Sequence, residues 1–182
     1  MVKIFTERLI IRDLAIDDLE NHHKLISNDN VMKYLQDIKT NTVEESKENL
    51  KRAIDSINSI NRELYFFAME DISANEYIGE IGYTVIKNTP YGKLVHLGYF
   101  INEKYWNKGY VTEALKRVVE FAFEDDNVYR ISTGCIKENT GSEKVMQKNG
   151  FIKEAEYKEY ALHEGKLKDR VEYRLLKSEW KK

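Results

Sequence analysis

The chain has 182 residues, of which 42% are hydrophobic and 33% are charged, and its formal net charge is −2. This length allows one domain with a sizeable core, and the balanced charge provides no basic field for direct nucleic-acid binding. A single cysteine, Cys135, excludes an internal disulfide. We therefore predict one domain over residues 1–182.

Membrane and metal classes are also disfavoured. No apolar run approaches the roughly 20 residues that cross a bilayer. Charged residues begin at Lys3, which is too early for a signal peptide. No group of cysteines and histidines has the spacing of zinc ligands, so no metal is predicted. We expect a cytoplasmic protein without a membrane partner, either a monomer or a homodimer.

The first third of the chain predicts one strand followed by two or three helices. Residues 8–13 are apolar with charged ends, as in a strand. The next segment has helical spacing, and we expect its two histidines, His22 and His23, to be partly solvated. A second short helical piece is predicted at residues 30–35. Thr42 and Glu45 have the spacing of a capping box, which predicts the start of a longer helix.

The remainder alternates strands and helices in an order that defines the fold class. The predicted elements are strands at 64–69, 77–86 and 95–101, a helix from 109 to about 124, a strand at 129–136, a helix at 140–148, and strands near 151–160 and 170–176. Consecutive strands joined by short turns favour an antiparallel meander, and two later strand–helix crossovers allow parallel pairing. We predict an α/β (α+β) domain with one central, mostly antiparallel mixed sheet of six to seven strands flanked by helices.

The segment from Gly98 to Leu115 carries the most chemistry. A strand ends there, a short loop follows, and a helix begins after Gly109. The first N–H groups of a helix lack intrahelical partners and carry partial positive charge, so such a junction suits a phosphate. Glycine allows close approach of the backbone, and Thr112 adds a hydroxyl donor. Plain helix capping explains the pattern as well, since neither a P-loop nor a dinucleotide fingerprint is present.

The same segment resembles the acetyl-CoA signature of the GNAT superfamily of N-acetyltransferases. That motif, Gln/Arg-x-x-Gly-x-Gly/Ala, falls here on 106–111, where Trp106 and Val111 replace the usual first and last residues. Both departures are typical of the branch that acetylates the N-terminal amines of ribosomal proteins. Further stretches that resemble this branch are 6–12, 138–142, 146–151 and 169–180. The resemblance covers nearly the whole chain and implies a GNAT-like domain with acetyl-CoA as the donor.

The resemblance also implies which residues hold the donor. The backbones of Tyr99, Phe100 and Ile101 are expected to bind the pantetheine arm and to polarise the thioester carbonyl. The diphosphate is expected on the loop formed by Trp106, Asn107, Lys108, Gly109, Tyr110, Val111 and Thr112. Asn139 is expected to hydrogen-bond the pantetheine.

The acid and the base are less constrained. In many relatives a tyrosine lies four residues after the serine of an Asn-x-x-Ser motif and donates a proton. In this chain the serine is Ser142, and the position four residues later is Met146. Ser142 is therefore the predicted donor to the leaving sulfur, although it also fits a plain first-turn hydroxyl, and a thiolate can leave unaided. The base is left between His96, where relatives often carry Glu, and Glu80 on the neighbouring strand. A half-buried structural histidine is the alternative for His96.

The pKa of the acceptor amine favours one substrate class. An α-amino group with a pKa of about 7.7–8.0 is roughly a tenth neutral at pH 7, whereas a lysine at about 10.4 is below about 0.1% neutral. A site without a strong base therefore suits the N-terminal amine of a protein or peptide. A small amine such as a polyamine or an aminoglycoside, and a non-catalytic CoA-binding protein, are the alternatives.

Overall fold

A computed structural model describes residues 1–180 of the chain. Within that range the chain forms one eight-stranded sheet, four α-helices and two short 3-10 turns. In chain order the elements are β1 (Lys3–Phe5), β2 (Leu9–Asp13), a turn (Ile16–Asp18), α1 (Leu19–Ile26), α2 (Val43–Ile57), β3 (Leu64–Asp71), β4 (Glu76–Thr89), β5 (Gly92–Ile101), a turn (Glu103–Tyr105), α3 (Tyr110–Glu124), β6 (Val128–Ile136), α4 (Thr140–Lys148), β7 (Ile152–His163) and β8 (Lys166–Leu176).

The strand order is β1-β2-β3-β4-β5-β6-β8-β7, and every neighbouring pair is antiparallel except β5 and β6. The predicted fold class and the parallel pairing in the second half are confirmed. The predicted count of six to seven strands is wrong, because residues 1–180 contain eight. The missed strand is β1, which has three residues and pairs with β2. A segment that short has no readable periodicity, and its structure depends on the partner strand.

The predicted helical piece at 30–35 is also wrong, since these residues form a series of turns between α1 and α2. Met32 is fully buried and anchors this connection, and its N–H donates to the carbonyl of Asn28 at 2.9 Å. The capping box that begins α2 is confirmed. The hydroxyl of Thr42 accepts from the Glu45 N–H, and the Glu45 carboxylate accepts from the Thr42 N–H, both at 3.2 Å.

Helices cover both faces of the sheet. One face carries the larger core, into which α3 inserts six apolar side chains: Ala114, Leu115, Val118, Val119, Ala122 and Phe123. On the opposite face a smaller cluster joins α2 to the sheet through Leu14, Leu50, Ala53 and Ala68. Burial of apolar surface on both faces therefore fixes the sheet between the helices. Among the helices of residues 1–180, none combines the length and apolar character needed to cross a membrane.

Strands β5 and β6 pair along only part of their length. Their parallel register joins 93–96 to 128–132, and in the described residues it ends at the pair His96 and Ser132. Beyond that point β5 continues to pair with β4, and β6 continues to pair with β8. The sheet therefore opens into a wedge between 97–101 and 133–136. The N-termini of α3 and α4 follow the two strands that border this wedge.

Candidate active site

The side chain of Tyr99 links the two sides of the wedge. Its hydroxyl lies 2.8 Å from Oγ of Ser142 and 3.1 Å from the Ser142 carbonyl oxygen. Ser142 lies in the first turn of α4, where its N–H donates to Oδ1 of Asn139 at 3.2 Å. Burial raises the pKa of Tyr99 above its ordinary value, against the opposing effect of the hydrogen bond to Ser142. Two residues that the sequence assigns to different roles thus meet through their hydroxyls.

Cys135 lies beside this pair as a packed thiol. Its Sγ is 3.7 Å from the Asn139 carbonyl oxygen, and the residue is buried. Burial raises the pKa of Cys135 to about 11, so the thiol is protonated at neutral pH and is a poor nucleophile. Met146 is fully buried in the core. The position at which relatives carry a tyrosine is therefore filled by an apolar side chain in this chain.

The predicted phosphate loop leads directly into the N-terminus of α3. Asn107 and Gly109 both have left-handed conformations, with φ of 59° and 81°, and Gly109 is the N-cap of α3. The indole N–H of Trp106 donates to the Ile101 carbonyl at 2.8 Å and fixes the loop to the end of β5. A Cβ at Gly109 would meet only a guanidinium nitrogen at 3.6 Å, so φ and not space favours glycine there.

An ion pair between Arg8 and Glu113 connects this loop to the start of β2. The carboxylate of Glu113, in the first turn of α3, accepts from the Arg8 backbone N–H at 3.0 Å, from Arg8 Nε at 2.7 Å and from the Thr6 hydroxyl at 2.5 Å. Arg8 also donates to the Lys108 carbonyl at 3.0 Å and lies over the Tyr110 ring at 4.2 Å. These contacts connect the start of β2 to the start of α3 and to the loop that precedes it.

His96 lies on the opposite face of β5 from Tyr99, together with Gly98 and Phe100. Its side chain is exposed, and its Nδ1 is 3.5 Å from the hydroxyl of Ser132. Although the side chain is solvent-exposed, the surrounding protein atoms partly desolvate the imidazole and lower the pKa of His96 from its ordinary 6.5, so the ring is mostly neutral at pH 7. A Cβ at Gly98 would have no atom within 4 Å, which leaves open space over this part of the strand.

Glu80, the second candidate base, is buried and already hydrogen-bonded. It is 2% exposed and stands opposite Phe100 in the β4–β5 register. Its Oε1 lies 2.6 Å from Nδ1 of His22 and accepts from the Tyr77 hydroxyl at 2.5 Å. The structure thus connects Glu80 with a histidine that the sequence analysis did not assign to the site.

The expectation that His22 is partly solvated is wrong, because the residue is 1% exposed. A signal for this is present in the sequence. His22 precedes Leu25 and Ile26 by three and four residues, so all three share the buried face of α1. His23 is only half-buried, and its Nδ1 lies 2.7 Å from the hydroxyl of Ser46. Within residues 1–180, no group of three His, Cys, Asp or Glu side chains is arranged to hold a metal ion.

Residues 8–152 match the family model of the acetyltransferase (GNAT) domain, which is more than half of the chain. The chain belongs to the GNAT acetyltransferase family. This acetyltransferase is 28% identical to the uncharacterised N-acetyltransferase YnaD of Bacillus subtilis (strain 168) over 184 residues, which cover 97% of this chain and 98% of the relative. The N-acetyltransferase class expected from the sequence is confirmed.

Two solved structures of acetyltransferases share the fold. One is the ribosomal-protein-S5-alanine acetyltransferase of Vibrio fischeri, with a TM-score of 0.86, 22% identity and coverage of 100% of both chains. The other is the spermidine N-acetyltransferase of Vibrio cholerae in complex with CoA and spermine, with a TM-score of 0.83, 21% identity and coverage of 96% of this chain and 98% of the other. This GNAT enzyme therefore shares its fold with an acetyltransferase that was solved with CoA bound, and its own donor and acid–base residues stay predictions.

Proposed function

We propose that this enzyme transfers the acetyl group of acetyl-CoA to the N-terminal α-amine of a protein or peptide in the cytoplasm. The observation that carries the proposal is the wedge between β5 and β6. It has a helix N-terminus at its end, paired hydroxyls of Tyr99 and Ser142 on one face, and His96 beside open space on the other. Donor and acceptor can therefore meet from opposite faces of the sheet.

The donor fits the wedge because its chemical parts match the groups along it. The N–H groups at the start of α3, after Gly109, suit the diphosphate. On its β6 side, β5 has no strand paired with it at 99–101 in the described residues. The backbone groups that point to that side are therefore available to the amides of the pantetheine arm, apart from the Ile101 carbonyl, which accepts from Trp106. An N–H of this edge would polarise the thioester carbonyl. Asn139, at the N-cap of α4, borders the same space.

The transfer needs one bond to form and one to break. The neutral amine attacks the thioester carbon, the C–N bond forms, and the C–S bond breaks as the sulfur takes up a proton. We assign that proton to Ser142. The Tyr99 hydroxyl contacts Ser142 Oγ and keeps its own proton at neutral pH, so it can resupply the serine. This pair would replace the tyrosine that is absent at Met146.

The electrostatics favour an α-amine as acceptor. The exposed imidazole of His96 has a pKa below 6.5 and is a weak base. A weak base suffices for an amine with a pKa of about 8, which is already partly neutral at pH 7, and is insufficient for a lysine. The fold shared with the ribosomal-protein-S5-alanine acetyltransferase agrees with this assignment.

A second candidate acceptor is a small polyamine, because the spermidine N-acetyltransferase of Vibrio cholerae has the same fold. A substrate panel separates the two. The purified enzyme and acetyl-CoA are incubated with peptides that begin with Ala or Ser, with Nα-blocked peptides that contain lysine, with spermidine and with an aminoglycoside. Thiol release and intact mass report the transfer.

We expect the peptides with a free α-amine to have a kcat/KM at least about 10-fold above that of the blocked peptides, given the larger neutral fraction of the α-amine. Acetylation of small amines alone would reject the N-terminal assignment. Tight CoA binding without transfer to any member of the panel would support the non-catalytic alternative.

A further inference from the structure

A buried imidazole–carboxylate pair lies beside the proposed acceptor face. Nδ1 of His22 is 2.6 Å from Oε1 of Glu80, and the two side chains are 1% and 2% exposed. The pair connects α1 to β4, and the Tyr77 hydroxyl also donates to Glu80. None of these three residues belongs to the segment that resembles the acetyl-CoA signature.

The second ring nitrogen of His22 has no partner. Nε2 is buried, and no atom of residues 1–180 hydrogen-bonds it. Buried polar side-chain atoms nearly always have a hydrogen-bond partner, and exceptions cluster where a group acts on a ligand or a proton. An unpartnered Nε2 next to a fully engaged Nδ1 therefore points to a partner that arrives with the substrate.

The position of the pair relates it to the reaction. Glu80 is directly opposite Phe100 across β4 and β5. Side chains of such a cross-strand pair have Cβ atoms about 4.5–5.5 Å apart. Phe100 lies within the segment 99–101, whose backbone we assign to the thioester, and on the same face as His96. The pair is thus one strand away from the reacting carbonyl, on the face from which the amine approaches.

The carboxylate of Glu80 also determines which nitrogen of the His22 ring carries the proton. A carboxylate that accepts from Nδ1–H selects the tautomer in which Nε2 has a free lone pair, and it stabilises the imidazolium formed when that nitrogen takes a proton. His96 has no such partner, since its Nδ1 lies at 3.5 Å from a serine hydroxyl. Of the two histidines near the acceptor face, His22 is the one arranged as a general base.

We propose that Nε2 of His22 receives the proton that the acceptor ammonium loses, and that Glu80 is the positioning residue that orients the ring. This inference rests on the proposed function. The ammonium gives one proton to His22 and becomes a neutral amine, which attacks the thioester carbon. The second proton lost by that nitrogen balances the proton taken up by the departing sulfur, and the imidazolium returns its proton to solvent.

The ionisable groups around the pair are few. Tyr77 faces Glu80 from β4, and beyond it lie Asp18 and Arg12, which form their own ion pair at 2.7 Å. On α1 itself, His23 faces Ser46 and not Glu80. A change in the pH profile on substitution of His22 can therefore be attributed to the pair.

The experiment measures kcat/KM against pH, with the best peptide acceptor, for wild type, His22→Gln, Glu80→Gln and the control His23→Gln. We expect His22→Gln to lower kcat/KM by about 10²–10³-fold near pH 7, and we expect the loss to shrink as pH rises above the amine pKa of about 8, where the amine arrives already neutral. Glu80→Gln should give a smaller loss with the same dependence on pH, and the adjacent-histidine control should retain the wild-type profile. A rate loss for His22→Gln that is the same at every pH would show a structural role and overturn the proposal.

A second measurement uses the unmodified enzyme and does not depend on turnover or on the folding of a variant. Nitrogen-15 NMR of histidine-labelled wild type, with the signals of the other three histidines assigned from His23→Gln, His96→Gln and His163→Gln, reports which ring nitrogen of His22 carries the proton. Protonation at Nδ1 alone is expected, and protonation at Nε2 in the neutral ring overturns the proposal. If wild type acetylates no acceptor, the proposed function fails; if it acetylates peptides and the tautomer or the profile is wrong, only this inference fails.

Discussion

The hydroxyl of Tyr99 lies 2.8 Å from Oγ of Ser142, although 43 residues separate them in the chain. One side chain comes from β5 and the other from the first turn of α4, so the contact connects the two sides of the wedge between β5 and β6. It places a phenol next to the serine in a chain whose usual tyrosine position is Met146. The acid that we propose, Ser142 with Tyr99 in contact with it, therefore does not require that tyrosine.

The first prediction concerns this hydroxyl pair. Ser142→Ala should lower kcat by about 10²-fold, within the usual range for a positioned acid, with little change in the KM for acetyl-CoA. Tyr99→Phe should lower kcat through the same path, so the double variant should be no slower than the slower single variant by more than about 3-fold. Steady-state kinetics measure all three.

The control for Tyr99→Phe is Tyr91→Phe, which removes an exposed hydroxyl from the β4–β5 turn and should have the wild-type kcat. Fully multiplicative losses in the double variant would contradict the shared path and assign the two hydroxyls to separate steps.

The second prediction tests the phosphate loop with a pair of glycines. Gly109→Ala and Gly150→Ala each impose a Cβ on a left-handed residue, with φ of 81° and 78°, and neither Cβ would clash severely. Both should destabilise the fold by about 1 kcal/mol. Only Gly109→Ala should weaken CoA binding, by about 10-fold, because only Gly109 begins α3.

Isothermal calorimetry with CoA and urea unfolding measure the two effects separately. Equal affinity of the two glycine variants for CoA would remove the loop after Trp106 from the donor site.

The third prediction concerns the ion pair between Arg8 and Glu113. Glu113→Gln removes the charge that pairs with Arg8 and accepts from the Thr6 hydroxyl, and should lower the free energy of unfolding by about 2 kcal/mol. Glu120→Gln breaks a surface pair with Arg117 on the same helix and should lower it by less than about 0.5 kcal/mol. Urea unfolding followed by tryptophan fluorescence compares them, and equal losses would refute the supporting role.

The fourth prediction is a pH dependence of stability. Hydrogen bonds from Ser73, Tyr110 and the Ala74 N–H lower the pKa of the buried Asp71 from 3.8 to about 2. The folded state therefore binds this proton less readily than the unfolded state, so the stabilisation is complete above the unfolded pKa and is lost as pH falls towards about 2. Asp71→Asn should lower the unfolding free energy at pH 7.

The same variant should also flatten the dependence of unfolding free energy on pH in the acid range below the unfolded pKa of 3.8. Urea unfolding at a series of pH values measures this slope. An unchanged slope in Asp71→Asn would show that other carboxylates account for the acid sensitivity.

Local signals predicted the four α-helices of residues 1–180, although the further helical piece predicted at 30–35 is a series of turns. The capping box at Thr42 and the glycine before α3 each act within one helical turn, so the sequence alone is enough to locate them. The resemblance to the acetyl-CoA motif and the end of β5 are likewise visible in the sequence, because both fall within the continuous segment 98–115.

What the sequence did not predict depends on distant partners. Strand β1 exists because β2 pairs with it, and the burial of His22 depends on how α1 packs on β4. The contact of Arg8 with Glu113 spans 105 residues, and no local pattern records it. The features that the sequence did not predict are therefore contacts between side chains that are distant in the sequence and meet only in the folded chain.

We expect acetyl-CoA to lie in the wedge with its diphosphate on the start of α3, and a crystal structure of the enzyme with acetyl-CoA would show where it binds. Such a structure should have the diphosphate on the N–H groups after Gly109, the pantetheine arm along 99–101, and the thioester sulfur within hydrogen-bond reach of Ser142. Acetyl-CoA bound away from the wedge, or a thioester facing away from Ser142, would contradict it.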